Sequence, residues 1–165
     1  MTSPLTIDTP DGPFTVITDA DGAVLASGWT DDVPRLIGMI PAELLPTDLP
    51  DTVPDDIARA VAAYYAGDFA AIDAVPVRQH ATDFRSRARR VLRTIPAGLP
   101  VTYTEFATML GNPKAVRAAA SACATNTVSL FVPCHRVLRS DGTLGGYLWG
   151  LDIKNSLLRR EASAA

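Results

Sequence analysis

Cys134 and His135 stand side by side within Val132-Pro133-Cys134-His135-Arg136-Val137. The apolar run Val128-Ser129-Leu130-Phe131-Val132 leads into them and reads as a buried strand, and a glycine-rich loop from Gly142 to Gly150 follows. Pro133 holds its φ at about −65°, which constrains the backbone at the thiol. A cysteine titrates at about 8.5 in water, and burial raises that value further. The sulfur becomes a nucleophile where a base takes its proton, and His135 is the base at hand. A Cys-His pair behind an apolar run is more often packing than chemistry. The surrounding residues must decide.

Pro133-Cys134-His135-Arg136-Val137 resembles the active-site signature of the O6-alkylguanine-DNA alkyltransferases, the methylated-DNA–protein-cysteine methyltransferases. The resemblance runs from Asp83 to Glu161 and is closest to the C-terminal half of the bacterial adaptive-response methyltransferases. Lys114-Ala115-Val116-Arg117-Ala118, Ser121-Ala122-Cys123-Ala124, Gly146-Tyr147, Trp149-Gly150 and Leu157-Leu158-Arg159-Arg160-Glu161 fall at that family's spacing. The resemblance implies a protein that flips O6-alkylguanine out of double-stranded DNA through the minor groove. It then moves the alkyl group irreversibly onto Cys134, once per molecule, with no cofactor and no metal. His135 matches the general base, acting on the thiol through a water, and Glu161 the carboxylate that orients the imidazole. Tyr103 matches the tyrosine that crowds the phosphate and donates to the guanine N3. Arg117 matches the finger that replaces the flipped base, on a DNA-facing helix with Lys114, Ala118 and Ser121. Asn126 matches the asparagine that ties this helix to the active-site turn.

By the same resemblance Val137, Tyr147, Leu148, Trp149 and Cys123 belong to the substrate pocket. The Val137 carbonyl is offered to the guanine amino group and the Leu148 N–H to O6. Leu148 and Trp149 stand where many relatives have serine and glycine, and Trp149 implies a narrow pocket that favours methyl over benzyl groups. Relatives usually carry an apolar pair where this chain has Ala88-Arg89, so the helix there is expected to pack differently. Arg136 is read as structural or phosphate-facing.

The elements that must position these residues are legible in outline. Leu5-Thr6-Ile7, Phe14-Thr15-Val16-Ile17 and Ala23-Val24-Leu25-Ala26 are short β runs, separated by Pro10-Asp11-Gly12-Pro13 and Asp19-Ala20-Asp21-Gly22. Both separators carry turn chemistry, so an antiparallel meander is expected. A Pro- and Asp-rich loop with one short helix covers 30–54, and Asp55 is placed as the cap of a helix ended by Gly67. Apolar residues at 84, 88, 91, 92 and 95 share one helical face, ended by Pro96, with five arginines on the rest. That arginine face fits solvent or DNA phosphate equally.

Thr102-Tyr103-Thr104-Glu105 has a capping-box pattern for a helix to Leu110. Asn112-Pro113 starts a second helix running to Ala124, which completes a helix-turn-helix. The second helix is nearly all small residues and lacks the Asn, Gln or repeated Arg of a major-groove reader. The fold class expected is therefore α/β, of the α+β kind. A small N-terminal domain, 1–77, holds an antiparallel sheet plus helix; the C-terminal domain, 78–165, is mostly helical.

Charge divides along the same line. Residues 1–77 carry a net −11 and residues 78–165 a net +8, which together give the chain's −3. That asymmetry puts polyanion contact in the second domain and a solvated acidic surface on the first. Two cysteines, no N-terminal apolar leader and no apolar run of ~18 residues point to a soluble, cytoplasmic, monomeric protein. Cys123, Cys134, His80 and His135 have no zinc-site spacing.

Three rivals are weaker. An alkyltransferase-like protein, which binds the lesion without repairing it, has tryptophan where this chain has Cys134. A Cys-His hydrolase needs a histidine brought to the thiol from elsewhere, and His80 has no supporting context. A helix-turn-helix transcription factor needs base-reading side chains on its second helix.

Overall fold

The chain contains five strands, β1 to β5, and six α-helices, α1 to α6, among the residues described by the computed structural model, 4–80 and 82–163. It divides into two compact units: Met1–His80 with Thr127–Phe131, and Ala81–Asn126 with Val132–Ala165.

In the first unit, β1 (Leu5–Thr9), β2 (Gly12–Thr18) and β3 (Val24–Gly28) form an antiparallel sheet in sequence order. Thr9 pairs with Gly12 across the first turn, which sets Leu5 opposite Val16. The residues of β3 are all buried rather than alternating. Chain lies along this strand from two other places. Val24 donates its N–H to Pro76 O at 2.8 Å, and Ser27 donates to Thr127 O at 3.0 Å and, through Oγ, to Ser129 O at 2.8 Å. A run buried on both sides has no solvent face to be polar. Helices α1 (Val33–Met39) and α2 (Asp55–Tyr65) complete the unit, with Phe14, Leu36, Ile57, Val61 and Tyr64 at its core.

Two sequence expectations need correction here. Pro54, not Asp55, is the cap of α2; Asp55 and Asp56 occupy its first turn, where carboxylates meet the positive end of the helix dipole. The run 128–132 is buried but makes a single β bridge, Ser27 to Val128. Leu130 turns it out of strand geometry with φ 74°, a conformation uncommon for a side chain of that size.

The second unit is helical: α3 (Asp83–Leu92), α4 (Tyr103–Met109), α5 (Val116–Ala124) and α6 (Leu151–Ser163). A two-residue parallel ladder, β4 (Val101–Thr102) with β5 (Val137–Leu138), joins the start of α4 to the segment just after Cys134. The capping box at Thr102 is complete, with Glu105 N–H to Thr102 Oγ1 at 3.1 Å and Thr102 N–H to Glu105 Oε1 at 3.2 Å. Gly111, at φ 86°, takes the left-handed conformation that ends this helix without a Cβ clash.

Helix α5 starts at Val116 rather than at Asn112-Pro113. Asn112 closes a turn instead, its Oδ1 accepting from Lys114 N–H at 3.1 Å and its carbonyl from Ala115 N–H at 3.0 Å. Asparagine's short amide competes with the helix for backbone donors, which moves the start by one turn. Helix α3 likewise ends at Leu92, short of Ile95, in a tightened turn closed by Thr94 N–H to Val91 O and Ile95 N–H to Leu92 O.

Candidate active site

The thiol sits on a doubly tightened turn. Pro133, at φ −82° and ψ 63°, is the centre of an inverse γ-turn in which Cys134 N–H donates to Val132 O at 2.8 Å. Proline's restricted φ suits that turn. A single 3-10 turn, Cys134–Arg136, follows and leads into β5. Cys134, His135 and Arg136 are all buried.

Asn126, just beyond the end of α5, reaches this turn with its side-chain amide. Nδ2 donates to Val132 O at 2.9 Å and to Cys134 Sγ at 3.3 Å. Burial pushes the Cys134 thiol up from its ordinary value; the Asn126 donor and the charges of Lys154 and Arg89 pull the other way. At rest the sulfur keeps its proton.

His135 is fully buried and its Nε2 lies 2.9 Å from Glu161 Oε2. Burial alone would raise the Glu161 carboxyl, but the bonds and charges of His135 and Arg136 outweigh it and hold the group at about 2. An ionised carboxylate only accepts, so Nε2 carries the hydrogen. Burial also lowers the imidazole's own pKa, against the pull of Glu161. His135 is therefore neutral, and Nδ1, which meets no hydrogen-bonding group among the described residues, holds the basic lone pair. That is the tautomer a general base needs.

Arg136 shares the same carboxylate. Its Nε donates to Glu161 Oε1 at 2.8 Å and its Nη2 to Oε2 at 3.1 Å, while Nη1 donates to Ile95 O at 2.7 Å. This two-point pairing pins Glu161 against His135, so Arg136 is turned into the protein and not toward DNA.

Tyr103, the first residue of α4, is half-buried; burial and then the nearby thiols raise its hydroxyl to about 12, so it can donate a hydrogen bond at any physiological pH. Gly145, at φ 72°, lies against its ring: a Cβ there would stand 3.5 Å from Tyr103 Cε2. Lys114, Arg117 and Ala118 are exposed, Arg117 in the first turn of α5. Ser121 is less open, and its hydroxyl already accepts from Arg85 Nη2 at 2.9 Å. Trp149 is buried, whereas Leu148 beside it is half-exposed. Cys123 is buried, and burial drives its thiol well above the usual range.

Lys154 and Arg89 belong to no motif of the sequence, yet both are buried. Lys154 is completely buried on α6, sharing a face with Leu157 and Glu161. Its Nζ donates to Val137 O at 2.9 Å, Leu144 O at 2.5 Å and Gly146 O at 3.3 Å, stapling the glycine-rich loop to β5. The Val137 carbonyl expected to face a purine thus already accepts a bond from this ammonium. The signal was present: a lysine at the i−3 position to Leu157 and i−7 to Glu161 lies on the helix face that packs inward. Among the described residues no group of three or more acidic, His or Cys side chains could hold a metal ion, and no helix is long and apolar enough to cross a membrane.

Comparison with known proteins bears on this geometry. Residues 83–163 match the family model described as 6-O-methylguanine DNA methyltransferase, DNA binding domain. The bifunctional transcriptional activator/DNA repair enzyme Ada of Escherichia coli is 52% identical over 88 residues, which are 53% of this chain and 25% of that longer protein. A methylated-DNA–protein-cysteine methyltransferase of Shigella flexneri is 34% identical over 158 residues, covering 94% of this chain and 92% of its own. The crystal structure of Mycobacterium tuberculosis OGT in complex with DNA superposes with a TM-score of 0.79 at 31% identity, over 97% of this chain and 92% of that one.

Proposed function

Because the chain belongs to the 6-O-methylguanine DNA methyltransferase family, its activity is that of a methylated-DNA–protein-cysteine methyltransferase, and we propose that Cys134 is the sulfur that takes the alkyl group. The observation that carries this assignment is the buried line from Arg136 through Glu161 to His135, beside a thiol held by Asn126. A base fixed in one tautomer next to a protonated sulfur is the arrangement that generates a thiolate on demand.

The reaction follows from these atoms. A stacked base cannot present its O6 substituent in line with a sulfur, so the damaged nucleotide is extruded into the pocket. Arg117 fills the gap in the stack, and Lys114, Ala118 and Ser121 lie along the same DNA-facing helix. The thiol proton passes to His135 Nδ1 through one water, and Glu161 stabilises the imidazolium that forms. Sulfur attacks the alkyl carbon, the new S–C bond forms as the C–O6 bond breaks, and the electron pair leaves on the purine. The Tyr103 hydroxyl donates to N3 and assists that departure. The purine takes up one proton and the sulfur has lost one, so the exchange balances. A thioether is not readily hydrolysed, and each molecule acts once.

The test is mass spectrometry after incubation with a duplex containing O6-methylguanine. The expected result is a gain of one CH2 per molecule, mapped to the peptide carrying Cys134; a gain elsewhere sinks the assignment. We also expect methyl to be transferred faster than benzyl. Trp149 is buried within the glycine-rich loop, and making room for a ring against a packed indole costs about 1–3 kcal/mol, or roughly 5- to 150-fold in rate. Single-turnover rates on the two adducts would decide, with equal rates refuting the narrow pocket.

A further inference from the structure

Arg89 occupies a position on α3 where the helix turns inward. It is flanked on that face by Ala88 and Leu92, both fully buried, and is itself only 7% exposed. A guanidinium does not shed its charge in proteins, so this is a permanent cation inside the unit. Its Nη2 donates to the carbonyl of Thr125 at 2.9 Å and to the Thr125 hydroxyl at 3.1 Å. Thr125 is the C-cap of α5, where helix carbonyls lack partners and the dipole is negative. One helical turn earlier on both helices, Arg85 Nη2 donates to Ser121 Oγ at 2.9 Å. The two arginines therefore hold α5 to α3 in register.

The residue following Thr125 is Asn126, whose amide holds Cys134 Sγ and Val132 O. A tilt of the α5 terminus would carry that amide off the sulfur. We propose that Arg89 is a positioning residue for alkyl transfer: by gripping Thr125 it sets the Asn126 amide on Cys134 and contributes fixed positive charge near the reacting sulfur. The proposal rests on Cys134 being the acceptor. The field at the sulfur supports it, since the Arg89 charge favours the thiolate of Cys134 and of Cys123. The other titratable groups coupled to the sulfur's charge are Lys154 from α6, Cys123 from α5 and Tyr103 from α4, and His135 follows it in the chain.

The experiment measures single-turnover methyl transfer to Cys134 against pH for the unmodified protein, Arg89→Lys, Arg89→Met and Thr125→Val. Arg89→Met is expected to be slower by about tenfold at pH 7, with its profile displaced toward higher pH as the thiolate loses a nearby cation. Arg89→Lys keeps the charge and recovers part of the rate and most of the profile. Thr125 is exposed, so Thr125→Val keeps the fold while removing one acceptor; a loss of about two- to threefold is expected. An unchanged pH profile in Arg89→Met, or an unchanged rate in Thr125→Val, overturns the proposal, because a packing role alone would lower stability without moving either. Should Arg89→Met fail to fold, the Thr125→Val rate decides, and a rate equal to that of the unmodified protein overturns the proposal. Methyl uptake by the unmodified protein at a residue other than Cys134 overturns the acceptor assignment and this proposal together. Uptake at Cys134 with an unshifted Arg89→Met profile or an unslowed Thr125→Val overturns this proposal alone.

Discussion

Cys134→Ala is expected to bind duplex carrying O6-methylguanine and to transfer nothing. Removing the sulfur takes away the only group the mechanism asks to form a bond, while Arg117, Tyr103 and the surface of α5 are untouched. Affinity measured by gel shift should stay within a few-fold of the unmodified protein, since that substitution alters no charge at neutral pH. Methyl uptake, read by mass spectrometry, should fall to zero and not merely slow. The second thiol offers no rescue. Cys123 is buried, and burial raises its pKa far beyond the physiological range, so it stays protonated. A methyl found on Cys123 in this variant would show that the pocket presents carbon to either sulfur, and the single-acceptor account would be wrong.

Glu161→Gln should damage both stability and rate. The carboxylate receives Arg136 at two points and faces His135, with all three side chains buried. Neutralising it leaves the Arg136 charge buried without its counter-ion, which costs about 3–5 kcal/mol. The amide of glutamine can also donate to His135 Nε2, favouring the tautomer whose lone pair is on the wrong nitrogen. Loss of an oriented base lowers the transfer rate by about 10²–10⁴.

Acid provides a second reading of the same substitution. The Glu161 carboxyl titrates near 4.5 ordinarily and at about 2 in the folded protein, so the unfolded chain takes up the proton first. Its stabilisation is complete above about 4.5 and is lost as pH falls toward 2. Urea denaturation should therefore show the gap between unmodified protein and Glu161→Gln narrowing across that window. A gap that stays constant down to pH 2 would mean the carboxylate is not ionised in the native state. His135 acts earlier on the same descent. Burial lowers its folded pKa, so stability present above its ordinary value near 6.5 declines as pH drops below it in both proteins.

Local chemistry was readable wherever a feature depends on neighbours in sequence. The meander turns, the capping box at Thr102 and the glycine stop at Gly111 are settled by residues within four positions of one another. The roles expected of Cys134, His135 and Glu161 follow from the resemblance of their motifs to the methyltransferase family, and the charge division follows from counting. What the folded chain alone decided is where buried charges find acceptors. Arg136 reaches Ile95 O across 41 positions, and Arg89 reaches Thr125 O across 36. On an isolated helix, an arginine that grips the end of another helix looks the same as one in solvent. Only the acceptor, brought from a distant part of the chain, makes that burial tolerable, which is why the arginines of α3 read as a solvated or phosphate-binding face until the fold was known. The same reason governs Lys154, whose three carbonyl partners lie 8 to 17 residues before it, one on β5 and two in a loop without a periodic signal. Spacing can nominate a nucleophile and its base. It takes tertiary contact to show which cations hold them in place.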